Sequence, residues 1–163
     1  MKKLYVIRHA KSSWKDYTLD DWERPLNKRG KRNIPEMGEF LKQKKTYIEL
    51  FISSHAVRAL KTAKGIAKSL DYSTKSISIT PDLYHAGTDD ILEVLASVDD
   101  SISSVAIFGH NPGFTMFVNE LTKSDIDNVP TCGVCAISVK VDNWQDIKEG
   151  CGILDYFMYP KAL

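Results

Sequence analysis

The stretch Leu4-Tyr5-Val6-Ile7-Arg8-His9-Ala10 joins a short apolar run to an arginine and a histidine. A short apolar run bounded by charged residues predicts a buried strand, so we expect a strand over residues 4–7 with the histidine just past its end. The arrangement recurs where residues 104–108 run into Gly109-His110-Asn111-Pro112-Gly113. A third apolar run, Leu50-Phe51-Ile52, opens into Ser53-Ser54-His55-Ala56-Val57-Arg58-Ala59.

Apolar residues at helical spacing separate these strands. Helices are predicted over residues 31–42, 57–70 and 88–98, one further strand over residues 76–79, and a final strand pair over residues 135–141 and 156–159. Strands that alternate with helices are typical of the α/β class, in which a mostly parallel central sheet has helices on both faces. We expect an antiparallel edge near the C-terminus, where the final pair is joined through residues 142–150.

Three residues set the expected helix starts. Pro35 falls inside the helix predicted for residues 31–42, so this helix either begins near Asn33 or bends at the proline. Thr88 is the predicted N-cap residue of the helix over residues 88–98. Pro112 predicts the start of a helix that runs to about Leu121, because proline is tolerated at the first helical position.

Length and composition set broad bounds on the protein. A chain of 163 residues fits a single domain over residues 1–163. A formal net charge of +1 gives no reason to expect a nucleic acid or an anionic membrane as partner. No apolar run approaches the ~20 residues that span a bilayer. An odd number of cysteines, 3, fits a reduced, cytoplasmic chain better than a disulfide framework.

Two of the cysteines, Cys132 and Cys135, form a C-x-x-C pattern. A redox motif of this type follows a strand and opens a helix, whereas here the residues after the pattern predict a strand. A zinc site would need further ligands near Cys151, and no histidine follows His110. We therefore interpret these cysteines as structural thiols, with redox or zinc chemistry as the less favoured alternative.

The predicted strand ends indicate a phosphoryl site. The carboxyl ends of parallel strands meet at one sheet edge, where open α/β folds bind ligands, and Arg8, His9, Arg58 and His110 would converge there. Arginine meets two phosphate oxygens through its planar fork, and a neutral histidine can attack phosphorus through a ring nitrogen. The alternative is that these residues are ordinary cap and turn residues.

Several segments, in matching order and spacing between residue 4 and about residue 120, resemble the histidine phosphatase superfamily. They are Arg8-His9-Ala10, Asp21-Trp22-Glu23-Arg24-Pro25-Leu26-Asn27, residues 53–63, Asp82-Leu83-Tyr84-His85-Ala86 and Gly109-His110-Asn111-Pro112-Gly113. The nearest branch is the short one typified by the bacterial phosphohistidine phosphatase SixA. The resemblance implies a phosphoglycerate mutase-like fold.

The resemblance also implies a role for each matching residue. His9 would be the nucleophile that forms a phosphohistidine intermediate, and Arg8, Arg58 and His110 would bind the phosphoryl oxygens. No metal or other cofactor takes part in the reaction of that family. Because Arg8 directly precedes His9, we expect its charge to hold His9 neutral by disfavouring the protonated ring.

Three further positions lie in loops of the implied site. Ser12 and Arg24 occupy the substrate loop of the family and are candidate substrate-binding residues, although each could equally be a solvated loop residue. His55 stands where many members have proline, and we interpret it as a loop residue in preference to a ligand.

The proton donor is the main departure from the family. Many members have a glutamate after the third strand, whereas this sequence offers Asp82, Tyr84 and His85 as alternative candidates. An alkoxide leaving group needs a proton from a positioned acid. A phosphohistidine with its other ring nitrogen protonated expels neutral imidazole, whose conjugate acid has a pKa of only ~6.5. The missing glutamate therefore favours a phosphohistidine substrate.

We predict a phosphatase that uses His9 as covalent nucleophile and removes phosphate from phosphohistidine in a partner protein of the histidine-containing phosphotransfer type. One alternative is a phosphatase of small phosphomonoesters. The other is a non-catalytic phosphoprotein-binding module that keeps the pocket. Neither a nucleic acid nor a membrane is expected as partner, and neither a metal nor a cofactor is expected in the site.

Overall fold

Strands and helices alternate along most of the chain, and the computed structural model describes residues 1–163. The elements are β1 (Lys2–Arg8), α1 (Lys28–Gln43), β2 (Leu50–Ser54), α2 (Val57–Ser69), β3 (Ser78–Thr80), α3 (Thr88–Ala96), β4 (Ser104–Gly109), α4 (Gly113–Thr122), β5 (Val134–Val139) and β6 (Gly152–Met158). Single turns of 3-10 helix lie between several of them, including one at Asp21–Glu23. None of the helices has the length and apolar character that crossing a bilayer requires.

All strands belong to one 6-stranded sheet in the order β3-β2-β4-β1-β5-β6. Neighbouring strands run parallel from β3 to β1, whereas β5 is antiparallel to β1 and β6 is antiparallel to β5. The predicted fold class is therefore confirmed, including the antiparallel edge near the C-terminus. The final pair begins earlier than predicted on both strands, because pairing extends back to Val134 and to Gly152.

The sheet is buried on both faces. Leu4 and Val6 of β1 belong to a core that includes side chains of α3 and α4. Ile7 of the same strand belongs to a second core that includes side chains of α1 and α2. Because successive side chains of a strand point to opposite faces, this partition places one pair of helices on each side of the sheet.

The first helix begins earlier than the sequence pattern predicts. Asn27 caps α1 by accepting a hydrogen bond from the Gly30 backbone N–H at 2.8 Å, and the helix continues through Pro35. Of the two predicted alternatives, the start near Asn33 is therefore wrong. Proline removes one backbone donor, but the buried face of α1 packs into the core on both sides of Pro35, through Ile34 before it and Met37 after it.

Smaller differences affect three other boundaries. The third strand occupies Ser78–Thr80, because the residues at Thr74–Ser76 form a 3-10 turn instead. Thr88 does not cap α3. Gly87 is the N-cap residue, and its N–H donates to the Asp90 carboxylate at 2.9 Å. Pro112 is likewise the N-cap of α4 and not its first residue.

Candidate active site

The carboxyl ends of β1, β2 and β4 meet at one edge of the sheet. The His9 N–H donates to the Gly109 carbonyl at 3.0 Å, which ties the end of β1 to the end of β4. The imidazole rings of His9 and His110 are consequently close, with centroids 5.2 Å apart. The strand order thus brings together two histidines that are far apart in the sequence.

A cavity of about 220 Å³ opens at this edge. It is lined by Arg8, His9, Lys11, Ser12, Trp14, Arg24, Arg58, His85, His110, Asn111 and Thr131. The structure therefore places every sequence-predicted catalytic and substrate-binding residue around one space. It also shows that only one of the three candidate proton donors, His85, reaches that space.

The tautomer of His9 follows from its backbone contact. Its Nδ1 lies 2.7 Å from the carbonyl oxygen of Ala10. A carbonyl oxygen only accepts hydrogen bonds, so Nδ1 must carry the proton. The lone pair of the neutral ring is then on Nε2, which is the nitrogen available for attack.

Burial is the main reason that His9 is neutral. It lowers the pKa of His9 to about 3, the hydrogen bond to Ala10 opposes this shift, and the charges of Arg58, Arg8 and Arg24 add to it. From the sequence we expected the charge of Arg8 alone to keep His9 neutral. The structure gives desolvation the larger effect and places Arg58 ahead of Arg8 among the charges.

His110 is also buried, and burial, followed by the charges of His9 and Arg58, lowers its pKa to about 3. Its Nε2 lies 2.9 Å from Ser54 Oγ, and that hydroxyl oxygen accepts a hydrogen bond from the Ala56 N–H at 3.2 Å. Ser54 is the last residue of β2. A strand-end hydroxyl that sequence analysis did not single out therefore orients the second histidine.

Three nitrogens on residues lining the cavity are buried without a hydrogen-bond partner. They are Arg8 Nε, Arg58 Nε and His110 Nδ1. A buried donor without a partner costs about 1–3 kcal/mol, so this set is costly unless a ligand supplies acceptors. Phosphate oxygens are acceptors of the right charge for two guanidinium groups.

The guanidinium of Arg8 is held in place by the segment before β5. Its Nη1 donates to the Val129 carbonyl at 3.0 Å, and the Asn111 side chain donates to the same carbonyl at 2.9 Å. Burial lowers the pKa of Arg8, and the charge of Arg58 lowers it further. Burial therefore has the larger effect on the pKa of Arg8, and the second cation at the cavity adds to it.

Asp21 holds the other two arginines. Its carboxylate accepts from Arg58 Nη2 at 2.9 Å and from Arg24 Nε at 3.0 Å, and its backbone carbonyl accepts from Arg58 Nη1 at 2.7 Å. Arg24 also donates to Ser12 Oγ at 2.9 Å. Burial by itself raises the pKa of Asp21, but hydrogen bonds from Tyr84, Arg58 and Arg24 outweigh it and hold that pKa well below its usual value.

Asp21 belongs to one of the motifs that resemble the family, but the sequence alone assigned it no role. Its position three residues before Arg24 was the available signal, since this spacing within one turn allows an ion pair. Its contact with Arg58 spans 37 positions, which no local pattern reveals. Trp14, whose ring stacks on the Arg24 guanidinium at 3.4 Å from its centroid, was missed for the same reason.

The candidate proton donors occupy different places. The Tyr84 hydroxyl donates to Asp21 Oδ2, so its proton is already engaged. Asp82 lines a separate cavity with Thr80 and Pro81. His85 alone lines the active-site cavity, and its ring lies 4.0 Å from that of Tyr84. His55 lies outside the cavity, stacked on Trp22 at 5.5 Å.

None of the cysteines lines the active-site cavity. Cys132 and Cys135 belong to different core clusters, and burial raises the pKa of each thiol to about 12, with the charge of Glu36 adding to the shift at Cys132. This placement agrees with their interpretation as structural thiols. No group of three or more His, Cys, Asp or Glu side chains is arranged to hold a metal ion.

Comparison with known families identifies the class of this protein. The model of the histidine phosphatase superfamily (branch 1) matches residues 4–85, which is half of the chain. The chain belongs to the histidine phosphatase superfamily. The expectation of a phosphatase is thereby confirmed at the level of the family.

Solved structures and sequence relatives agree with this placement. The structure of the protein histidine phosphatase SixA complexed with tungstate has a TM-score of 0.82 at 21% identity, covering 98% of this chain and 97% of that chain. This likeness confirms the phosphoglycerate mutase-like fold. An uncharacterized protein of Mycobacterium tuberculosis is 26% identical over 95% of this chain and 100% of its own length. An uncharacterized chloroplastic protein of Arabidopsis thaliana is 26% identical over 89% of this chain and 70% of its own length.

Proposed function

We propose that this protein removes the phosphoryl group from phosphohistidine in a partner protein, with His9 as the covalent nucleophile. One observation carries the proposal. The hydrogen bond from His9 Nδ1 to Ala10 leaves the Nε2 lone pair free. The ring of His9 lines a cavity whose other walls include unpaired nitrogens of Arg8, Arg58 and His110.

The first step transfers the phosphoryl group to the enzyme. Arg8 and Arg58 bind its oxygens and offset the charge that develops on them, which is the main contribution a protein makes to phosphoryl transfer. The Ser54 hydroxyl, by donating to His110 Nε2, keeps the ring proton on Nδ1, from which His110 donates to a further oxygen. His9 Nε2 forms a bond to phosphorus while the bond from phosphorus to the substrate imidazole breaks.

The second step returns the enzyme to its starting state. Water attacks phosphorus, the bond to His9 Nε2 breaks, and inorganic phosphate leaves. Because His9 Nδ1 remains protonated against the Ala10 carbonyl, the ring departs as neutral imidazole and not as an anion. The same contact therefore favours both attack and release.

The surroundings of the cavity support a protein substrate. Tyr84 and Asp82 do not line the cavity, which leaves His85 as the candidate acid, and a phosphohistidine leaving group makes the smallest demand for one. Trp14 and Tyr17 are 67% and 95% exposed on the loop beside the cavity. Exposed aromatic side chains of this kind are typical of surfaces that bind other proteins.

The cellular compartment belongs to the same proposal. All of the cysteines have free thiols, which supports the expectation of a reducing compartment such as the cytoplasm.

The covalent step can be tested by trapping the intermediate. The enzyme is mixed with phosphoramidate carrying labelled phosphorus and quenched in alkaline detergent, because phosphohistidine is stable to base and labile to acid. We expect label on His9, lost in His9→Asn and kept in His55→Asn, which removes a histidine outside the cavity. Label on any other residue contradicts His9 as the nucleophile. Binding of phosphoramidate without any label or turnover would favour the non-catalytic binding module.

The substrate class is tested by competing leaving groups. A peptide with one phosphohistidine and glucose 6-phosphate are compared by kcat/KM with the same enzyme. We expect the peptide to be hydrolysed at least tenfold more efficiently. A faster rate on the sugar phosphate would reject the protein substrate and favour the phosphomonoester alternative.

A further inference from the structure

A second cavity, of about 410 Å³, lies beside the active site. It is formed by the start of α1, the segment before β5 and the residues after β6, and it is lined by Arg29, Arg32, Asn33, Glu36, Pro130, Thr131, Tyr159, Pro160 and Lys161. We call this cavity the basic cleft. Thr131 lines both the basic cleft and the active-site cavity, so the two spaces adjoin.

The basic cleft carries unneutralised positive charge. Arg29, Arg32 and Lys161 are exposed, and none of them takes part in an ion pair of the structure. Glu36 is the one carboxylate in its lining. Three cations against one anion leave a surplus that an incoming acidic group would neutralise.

Hydrogen bonds attach the wall between the two cavities to the end of β1, next to His9. The Cys132 N–H donates to the carbonyls of Arg8 and His9 at 3.1 and 3.0 Å, and the Val129 carbonyl accepts from Arg8 Nη1 at 3.0 Å. Pro130 and Thr131 lie between these anchor points. A chain that occupies the basic cleft is therefore fixed at a defined position relative to His9.

Asn33 adds an acceptor to these donors. It is 6% exposed, its Nδ2 donates to Glu36 Oε1 at 2.9 Å, and its Oδ1 is buried without a partner. A buried acceptor of this kind calls for an N–H or O–H donor. A peptide supplies both carboxylates for the cations and backbone N–H groups for Asn33, whereas a simple inorganic anion supplies chiefly the former.

We propose that the basic cleft binds acidic side chains that flank the phosphohistidine on the partner protein. The inference rests on the proposed function. The basic cleft would bind the residues that flank the phosphohistidine while His9 acts on the phosphohistidine itself. The inference also assigns the partner a chemistry, namely an acidic surface next to the phosphorylated histidine. The basic cleft would then set the affinity for the protein and leave the chemical step unchanged.

The test uses two peptides that differ only in charge. Each has a single histidine phosphorylated with phosphoramidate, flanked by glutamates in one peptide and by glutamines in the other. We expect the wild-type enzyme to prefer the glutamate peptide about tenfold in kcat/KM. The R29E/R32E variant should lose this preference through KM, with kcat unchanged and with unaltered hydrolysis of free phosphohistidine.

A matched variant controls for overall charge. K68E/K75E makes the same change in net charge at exposed lysines that do not line the basic cleft, and it should keep most of the preference. Position 29 lies in the first turn of α1, where a glutamate suits the positive end of the helix dipole. Both arginines are exposed, so R29E/R32E is compatible with folding. An equal loss in both variants, or no loss in R29E/R32E, overturns the inference.

Binding provides a readout that is independent of turnover. Calorimetry with the two unphosphorylated peptides should show tighter binding of the glutamate peptide to the wild-type enzyme and equal binding of both to R29E/R32E. An enzyme that hydrolyses free phosphohistidine but shows no charge preference rejects the basic cleft alone. An enzyme that binds the glutamate peptide in the basic cleft but hydrolyses no phosphohistidine rejects the proposed function instead.

Discussion

The floor and the rim of the active-site cavity are built differently. The floor, which we define as Arg8, His9, Arg58 and His110, lies at strand ends and at the start of a helix, and its histidines are each 7% exposed. The rim, residues 11–27 between β1 and α1, is mostly a loop, with Tyr17 95% exposed. The sheet positions the residues to which we assign the chemical step, and the loop positions the residues that we propose to contact the partner.

The two regions also depend on different forces. The lowered pKa values of the floor histidines arise chiefly from burial, which salt hardly affects. The rim is connected to the floor through the Asp21 carboxylate, which is 40% exposed and pairs with Arg24 and Arg58. Ion pairs at exposed groups are screened by salt, so the floor and the rim should respond differently to mutation and ionic strength.

The largest effect is expected at the floor. Arg58→Lys keeps the charge but removes the planar fork that binds Asp21 and whose Nε we propose to bind the phosphoryl group. We expect kcat/KM to fall about 100-fold, as for the loss of one positioned donor to a developing charge. Arg29→Lys, an exchange outside the active-site cavity, should change the hydrolysis of free phosphohistidine less than about twofold, in line with an exposed side chain. A loss of less than tenfold for Arg58→Lys would show that charge alone suffices at the floor.

The next effect separates burial from ion pairing by pH. The folded-state pKa of His9 is about 3, whereas the unfolded value is about 6.5, so between these values the unfolded chain binds more protons. The contribution of neutral His9 to the unfolding free energy is therefore complete above pH 6.5 and is lost as the pH falls below that value. Between pH 7 and pH 5 the wild type should lose about 2 kcal/mol more unfolding free energy than His9→Asn.

Urea denaturation at the two pH values measures this difference. Tyr84→Phe, which leaves both floor histidines in place, should show the same pH dependence as the wild type. Equal pH dependence of the unfolding free energy in the wild type and His9→Asn would contradict a lowered pKa of His9 in the folded protein.

A smaller effect is expected where the rim meets the floor. Asp21→Asn keeps the shape but removes the charge that orients Arg58 and Arg24, and we expect KM for a phosphohistidine peptide to rise about tenfold with a small change in kcat, in line with partly buried charge-assisted hydrogen bonds. The difference from wild type should shrink in high salt. An unchanged KM, or a fall in KM because the arginines are released, would contradict a positioning role for Asp21.

The smallest effect is expected on the rim itself. Trp14→Ala removes the ring that stacks on Arg24, a contact that contributes roughly 0.5–1 kcal/mol at an exposed site. We expect a threefold to fivefold rise in KM for the peptide and little change for free phosphohistidine. Tyr47→Ala, at an exposed aromatic residue that does not line the active-site cavity, is the matched control and should leave KM unchanged. An equal change for both substrates in Trp14→Ala would contradict a role for Trp14 in contacting the partner.

The sequence predicts the floor much better than the rim. His9 and His110 each follow an apolar run, and parallel strand order is enough to bring such ends together. Asp21 could not be assigned in this way, since its position depends on contacts with Arg58 and Tyr84 that are 37 and 63 residues away. The loop that carries it has no periodicity from which those contacts could be inferred.

Helix starts show the same limit on a smaller scale. Asn27 is an ordinary N-cap signal for α1, but the proline at position 35 drew the predicted start away from it. Gly87 replaced Thr88 as the cap of α3 because Asp90 reaches back to the Gly87 N–H. In both cases a single side-chain hydrogen bond decided the boundary, and its energy is too small for a sequence pattern to rank.

The placement of the thiols has a consequence for oxidative stress. None of the cysteines lines the active-site cavity, and the raised pKa of Cys132 and Cys135 keeps their sulfur protonated and out of reach. Peroxide attacks thiolates, and enzymes with a thiolate nucleophile lose activity when it is oxidised. If the nucleophile is a ring nitrogen, as we propose, a phosphatase with no cysteine lining its active-site cavity should continue to work under oxidising conditions that inactivate thiolate enzymes.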